Sequence, residues 1–178
     1  MRLFILALTL TAIGCRERVV LPGCPPAVPD AMADVNGVRY RVQLQDALCC
    51  SRETGRPVLL TFQGWASMST SAGWDVLADP DVKALVDDRL VLCVLLVDDR
   101  DMLSPEDLVG FPPLKSNPTN IGQRNRALEA EFFNKRSQPL FTLVDADFRS
   151  LAEPMGYIPK KEPEVLINWI EATLENLH

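Results

Sequence analysis

Strands that alternate with helices and close in a hairpin predict an α/β layered domain in this 178-residue chain. Three observations carry the prediction. Two apolar runs, Pro57 to Phe62 and Leu90 to Val97, read as buried strands, the second uninterrupted and covered on both faces. The segments around them show helical spacing of apolar residues. Near the end of the chain, Asp145-Ala146-Asp147 turns one short apolar run back toward another. Hydrophobic content of 47% with 24% charged residues is that of a globular chain, and the length suits one domain. A net charge of -6 without a basic cluster argues against a nucleic-acid partner.

In chain order, Val38 to Val42 alternates and predicts a first strand. Leu44, Ala47, Leu48 and Ser51 share one helical face, and Gly55 stops that helix. On the same wheel Cys49 points away from the buried face and Cys50 flanks it. After the strand Pro57 to Phe62, Pro80 divides a helical region into Thr70 to about Leu77 and Asp81 to Val86. The strand Leu90 to Val97 precedes a long loop, Asp99 to Asn120, with prolines at 105, 112, 113 and 118. Loops of that length in a compact domain tend to be functional or disordered. Ile121 to Phe133 reads as a helix with Ile121, Leu128 and Phe132 inward. Leu140 to Val144 and Arg149 to Glu153 read as the closing hairpin. Pro163 opens a last helix that turns Leu166, Trp169, Ile170, Thr173 and Leu177 inward. The order is β-α-β-α-β-α-β-β-α.

The start of the chain is set apart from this domain. Arg2 and the apolar run Leu3 to Ile13 have the form of a secretory signal, too short to span a bilayer. Ala12-Ile13-Gly14-Cys15 resembles a bacterial lipobox, which predicts a lipoprotein signal peptide at 1–14 and lipidation of Cys15. Residues 15–35, with Pro22, Pro25, Pro26 and Pro29, read as an extended linker, and 36–178 as the domain. The expected location is the bacterial cell envelope, outside the cytoplasm. Arg16 is not the aspartate that retains some lipoproteins at the inner membrane, so the outer membrane is the expected anchor, facing periplasm or cell surface. Disulfides persist there. A bridge from Cys24 to Cys49 or Cys50 is expected, and Cys93, inside Val91 to Val97, is expected to be a buried small hydrophobe.

The segment Gly55-Arg56-Pro57-Val58-Leu59-Leu60-Thr61-Phe62-Gln63-Gly64-Trp65-Ala66 is similar to the Gly-Lys-Pro-Val-Leu-Leu-Asp-Phe-Thr-Gly-Trp-Ala segment of bacterial thioredoxin-family proteins. It most resembles the periplasmic C-terminal domain of the thiol:disulfide interchange protein family. Asp79-Pro80-Asp81-Val82, Leu96-Val97-Asp98-Asp99 and Gln138-Pro139 resemble it too, and the likeness covers roughly residues 40 to 177. It implies a thioredoxin fold, with Pro139 as a cis-proline beside the active site. It also implies what is missing. The Cys-x-x-Cys motif is replaced by Ser67-Met68-Ser69-Thr70, and the buried acid of the preceding strand by Thr61. Hydroxyls cannot form the mixed disulfide of dithiol exchange.

No catalytic residue is therefore expected; Ser67, Thr70 and Thr61 are degenerate positions. Serine catalysis needs a base, and the only histidine is the last residue, His178. The simplest role for Ser67 is a helix cap; binding of an anion or a small thiol such as glutathione at that helix end is an alternative. Cys24, Cys49 and Cys50 offer a second alternative, displaced thiol–disulfide chemistry. Asp98, Asp99 and Asp101 read as a solvated strand end rather than a metal site, and no metal or cofactor is expected. The expected partner is an extracytoplasmic protein or extended peptide. It would bind across Trp65, Ser67, Met68 and Thr70, the loop Asp99–Asn120, and Gln138 with Pro139, which offers backbone groups for strand addition.

Overall fold

The apolar runs form the centre of a five-stranded sheet. A computed structural model describes residues 32–35, 37–64, 68–108 and 111–177. The strands are β1 (Met32–Val35), β2 (Val38–Arg41), β3 (Val58–Gln63), β4 (Val91–Leu96) and β5 (Leu140–Val144). The helices are α1 (Leu44–Thr54), α2 (Met68–Leu77), α3 (Pro80–Arg89), α4 (Ile121–Phe133) and α5 (Pro163–Glu175). Sheet order is β1-β2-β4-β3-β5. β3 and β4 run parallel from Val58↔Val91 to Gln63↔Leu96, and β5 returns antiparallel to β3 with Phe62 opposite Leu140.

Every residue of β3 and β5 is buried, as is β4 up to Leu95. The strand period of two sorts them onto two faces. Leu60, Phe62, Cys93 and Leu95 pack with Leu44 and Ala47 of α1 and with Leu128 and Phe133 of α4. Leu59, Leu92, Val94, Phe141 and Leu143 pack with α2, α3 and α5 through Trp74, Val86, Leu166 and Ile170.

Local chemistry ends the helices where the sequence predicts. Gly55 takes the left-handed conformation (φ 71°) and its N–H donates to the Ser51 carbonyl. Asp79 caps α3 by accepting from the backbone N–H of Asp81 and Val82, with Pro80 in the first turn. The Asn120 carboxamide oxygen accepts from Gln123 N–H at 2.8 Å to start α4.

Four expectations are corrected. A strand, β1, lies in the stretch read as linker and pairs antiparallel with β2 from Met32↔Arg41 to Val35↔Val38. The closing hairpin has no regular second strand. Bridges join Val144 to Ser150 and Phe141 to Met155, and the outer segment uses two more residues than β5 between them. Such an excess is a bulge, and Pro154 has no N–H for a ladder. On α4, Phe133 is inward and Phe132 is 43% exposed, its ring meeting Phe148 edge-on at 5.3 Å. On α5, Leu174 is buried, Trp169 is half-buried, and Leu177 lies beyond the helix end, exposed.

Among the described glycines, the tightest backbone approach is at Gly122, in the first turn of α4. A β-carbon there would stand 2.5 Å from the Asp99 carbonyl oxygen and 2.7 Å from that of Val97. The Gly122 N–H donates to the same Asp99 oxygen at 3.0 Å. Since backbone cannot step aside cheaply, Gly122→Ala is expected to destabilise the domain by about 1–3 kcal/mol. An unchanged urea midpoint would show that the end of β4 can shift without cost.

Candidate docking edge

β3 and β4 are parallel neighbours, so both finish at one edge of the sheet, and antiparallel β5 starts there. Val97 N–H donates to the Gln63 carbonyl at 2.8 Å, carrying the ladder one step past the strands. Gly64 follows, with the Asp98 carboxylate 3.3 Å from where a β-carbon would sit. The Gln138–Pro139 peptide bond is cis. The ends of β3, β4 and the segment before β5 thus meet, as the topology predicts.

Beneath α2, Thr61 and Gln63 are fully buried on the same face of β3. The Gln63 amide nitrogen donates to the Thr61 hydroxyl at 3.3 Å. The side-chain carboxamide oxygen of Gln63, Oε1, has no partner among the described residues and lies 2.8 Å from the β-carbon position of Gly73, with Pro139 at 3.0 Å. Gly73 lets α2 settle directly onto Gln63 and Pro139. Trp74, next along, is buried against the Tyr40 ring at 5.1 Å.

The described parts of the long loop are folded against α4. Met102 bridges Asn120, and Leu103 N–H donates to the Thr119 carbonyl. Arg124 is 4% exposed: its Nη1 donates to the Asp107 carbonyl at 2.9 Å, and its guanidinium sits 4.5 Å from the Phe111 ring centre. Glu131 accepts from the backbone N–H of Lys115 and Ser116 and from the Ser116 hydroxyl, and these bonds hold its carboxyl below the usual range. Asn125 donates to the Leu96 carbonyl at 2.8 Å, locking α4 to the end of β4.

Glu129 does the same for the proline segment. It is 1% exposed and accepts from Ser137 N–H at 2.7 Å and from the Gln138 side-chain amide at 2.9 Å. Burial raises its carboxyl above the ordinary value, against the lowering pull of those bonds and of Arg136 and Arg126. Arg124, Asn125, Glu129 and Glu131 were not singled out by sequence reasoning. On a helix they look like a solvated face, and only three-dimensional packing reveals their partners.

No family model matches this chain, and no curated protein matches it in sequence. Among solved structures it is similar to the DsbH oxidoreductase, at TM-score 0.54 and 20% identity over 84% of this chain and 90% of that one. The chain has the thioredoxin fold. Two further structural matches are a thioredoxin from Thermus thermophilus and the exposed lipoprotein thioredoxin of Streptococcus pneumoniae. The first has TM-score 0.48 and 20% identity over 72% of this chain and 84% of that one. The second has TM-score 0.43 and 18% identity over 79% and 96%.

Within the thioredoxin fold, α2 begins at Met68, close behind the end of β3. Trp65 and Ser67 lie outside the described residues, as do the side chains of Met68 and Thr70, and Cys15, Cys24 and His178. Cys49 is half-buried and disulfide-bonded, while Cys50 and Cys93 are buried and stand outside that bridge. Burial pushes the Cys93 thiol up to about 12, an unreactive group in the folded protein. Among the described residues no cluster of His, Cys, Asp and Glu suits a metal ion.

Glu129 makes the proline segment sensitive to pH in a defined direction. Its folded value lies above the ordinary 4.5, so its contribution to stability is present below that value and is lost as pH rises through the folded value. Urea titrations of wild type and Glu129→Gln at several pH values test this. The wild-type advantage is expected to shrink as pH rises above 4.5; a difference that stays constant or grows would refute it.

Proposed function

We propose that this is a lipid-anchored, extracytoplasmic protein of thioredoxin-like build that lacks dithiol chemistry and docks an extended peptide or protein segment. The docking edge comprises the Trp65–Thr70 turn, the loop Asp99–Asn120 and Gln138–Pro139. The observation that carries this reading is the pinned segment before cis-Pro139, beside a helix whose first turn holds Met68, Ser69 and Thr70. Backbone groups there can pair with an incoming strand, and that recognition needs no thiol.

The chemistry around Thr61 supports the absence of redox turnover. Where the resembling family has a proton-accepting acid, Thr61 is buried against the Gln63 amide. Neither group exchanges a proton near neutral pH. Ser67 and Thr70 cannot take part in a mixed disulfide. Lipidation at Cys15 would hold the domain at the envelope as an accessory subunit of a membrane-associated assembly. The Cys49 bridge, which we assign to Cys24, would fasten the linker onto α1.

The competing reading is a thiol–disulfide oxidoreductase working through Cys24, Cys49 or Cys50. Its supporting observation is that Cys49 is disulfide-bonded with a second cysteine adjacent in sequence. Cys50 is 5% exposed, which disfavours attack by that thiol. Insulin reduction separates the two. No turnover above the dithiothreitol background is expected, and sustained catalysis that vanishes in Cys49→Ser would establish the enzyme instead. Saturable thermal stabilisation by glutathione would point to small-thiol binding at the α2 start. For the anchor, Cys15→Ser is expected to move the protein from the membrane fraction to the soluble fraction; retention in the membrane fraction would refute lipidation there.

A further inference from the structure

One cleft joins two parts of the docking edge. It lies between α4, the end of the long loop at Ser116–Pro118, and the segment Arg136–Gln138, and it encloses about 500 Å³. That volume is in the range of sites that hold small groups. Arg126 and Arg136 both line it, and Gln138, the residue before cis-Pro139, forms part of the same wall.

The charges of this cleft are unequally committed. Both of its carboxylates are already engaged: Glu129 by Ser137 N–H and the Gln138 amide, Glu131 by Lys115, Ser116 N–H and the Ser116 hydroxyl. Neither Arg126 nor Arg136 forms an ion pair or side-chain hydrogen bond among the described residues, where Arg52, Lys83, Arg124, Arg149 and Lys160 do form ion pairs. Both sit close enough to Glu129 to act on its carboxyl, Arg136 more strongly. Two uncommitted guanidiniums therefore face one cleft in a protein of net charge -6.

We propose that this cleft is a subsite for an acidic side chain of the docked peptide, with Arg126 and Arg136 as the recognising groups. The inference rests on the docking reading and adds the chemistry of the partner. A guanidinium offers paired N–H donors in a plane that matches a carboxylate, so two of them select Asp or Glu over an amide of the same shape. Successive side chains of an extended peptide point to opposite sides. A strand paired with backbone at Gln138 sends alternate residues toward α4, and the cleft is the space that receives them. Specificity comes from the arginines, and the backbone pairing supplies sequence-independent affinity.

Fluorescence polarisation with the full chain tests this, using labelled extended peptides that alternate Thr and Val around either two central Glu or two central Gln residues. At low salt the Glu peptide is expected to bind about tenfold more tightly than the Gln peptide. That preference should vanish in the Arg126→Ala, Arg136→Ala double variant, with Gln-peptide binding unchanged, and should shrink in about 1 M salt as screening tightens. Equal affinity of the two peptides, or a preference that survives the double variant, overturns the subsite and leaves the docking edge standing. Failure of both peptides to bind overturns the docking edge itself. The subsite is then read separately by arginine Nε–H NMR during titration with acetyl-Glu-Thr-Glu-amide. Saturable shifts at both arginines support it. No shift, or an equal response to inorganic phosphate, overturns a carboxylate side chain as the occupant.

Discussion

The contact between the start of α4 and the end of β4 is the constraint on which the edge depends. Gly122 brings helix backbone against the carbonyls of Val97 and Asp99 with no room for a side chain. From that fixed point, each polar residue of α4 reaches a different part of the edge: Asn125 the end of β4, Arg124 the 3₁₀ turn Glu106–Leu108, Glu131 the stretch Lys115–Ser116, Glu129 the proline segment. Buried polar groups cost free energy unless they are bonded, so these bonds also select one arrangement of the loop and one position of the helix. The helix acts as a frame more than as a hydrophobic plank; on it only Leu128 and Phe133 belong to the core cluster.

This division of labour separates scaffold from chemistry. The two faces of the sheet are filled by the apolar core clusters, with the polar pair Thr61 and Gln63 set into one of them. Thr61 and Gln63 satisfy one of each other's polar groups under α2, and Gly73 admits the helix onto them and onto Pro139. An ionisable acid at position 61 would stand fully buried on this face, where a charge needs a partner. With a threonine there, the site under α2 is neutral. The charged groups of the edge lie instead on α4, in the loop that wraps it and at Asp98 beside Gly64.

Much of the architecture was legible because it rests on periodicity and local chemistry. The strands read at 57–62, 90–97 and 140–144 lie within a residue of those observed, and with the stop at Gly55, the break at Pro80 and the start of α4 at Ile121 they follow from hydrophobic pattern, a C-cap glycine and proline geometry. β1 is masked in the sequence because the prolines just before it read as linker, although Asn36-Gly37 is a hairpin signal. The inward set of α4 departs from its hydrophobic pattern for a different reason. Arg124, Asn125 and Glu129 are buried through bonds to distant backbone, which no hydrophobic pattern encodes. The cleft at Arg126 and Arg136 was illegible for the same reason, since its walls come from segments separated in sequence and joined only by the fold.

The position of β1 has a mechanical consequence. It is the outermost strand on the side of the sheet away from β5, and the chain from residues 1–31 enters the domain through it. Tension arriving from that direction loads the pairs Met32↔Arg41 to Val35↔Val38 first, ahead of the pairs that join β4, β3 and β5. Under the proposed lipid anchoring, this four-pair ladder would open before the six-pair register between β3 and β4 and lengthen the tether without disturbing β5. On the anchored reading proposed above, β1 would act as a fuse between the membrane and the proposed docking edge.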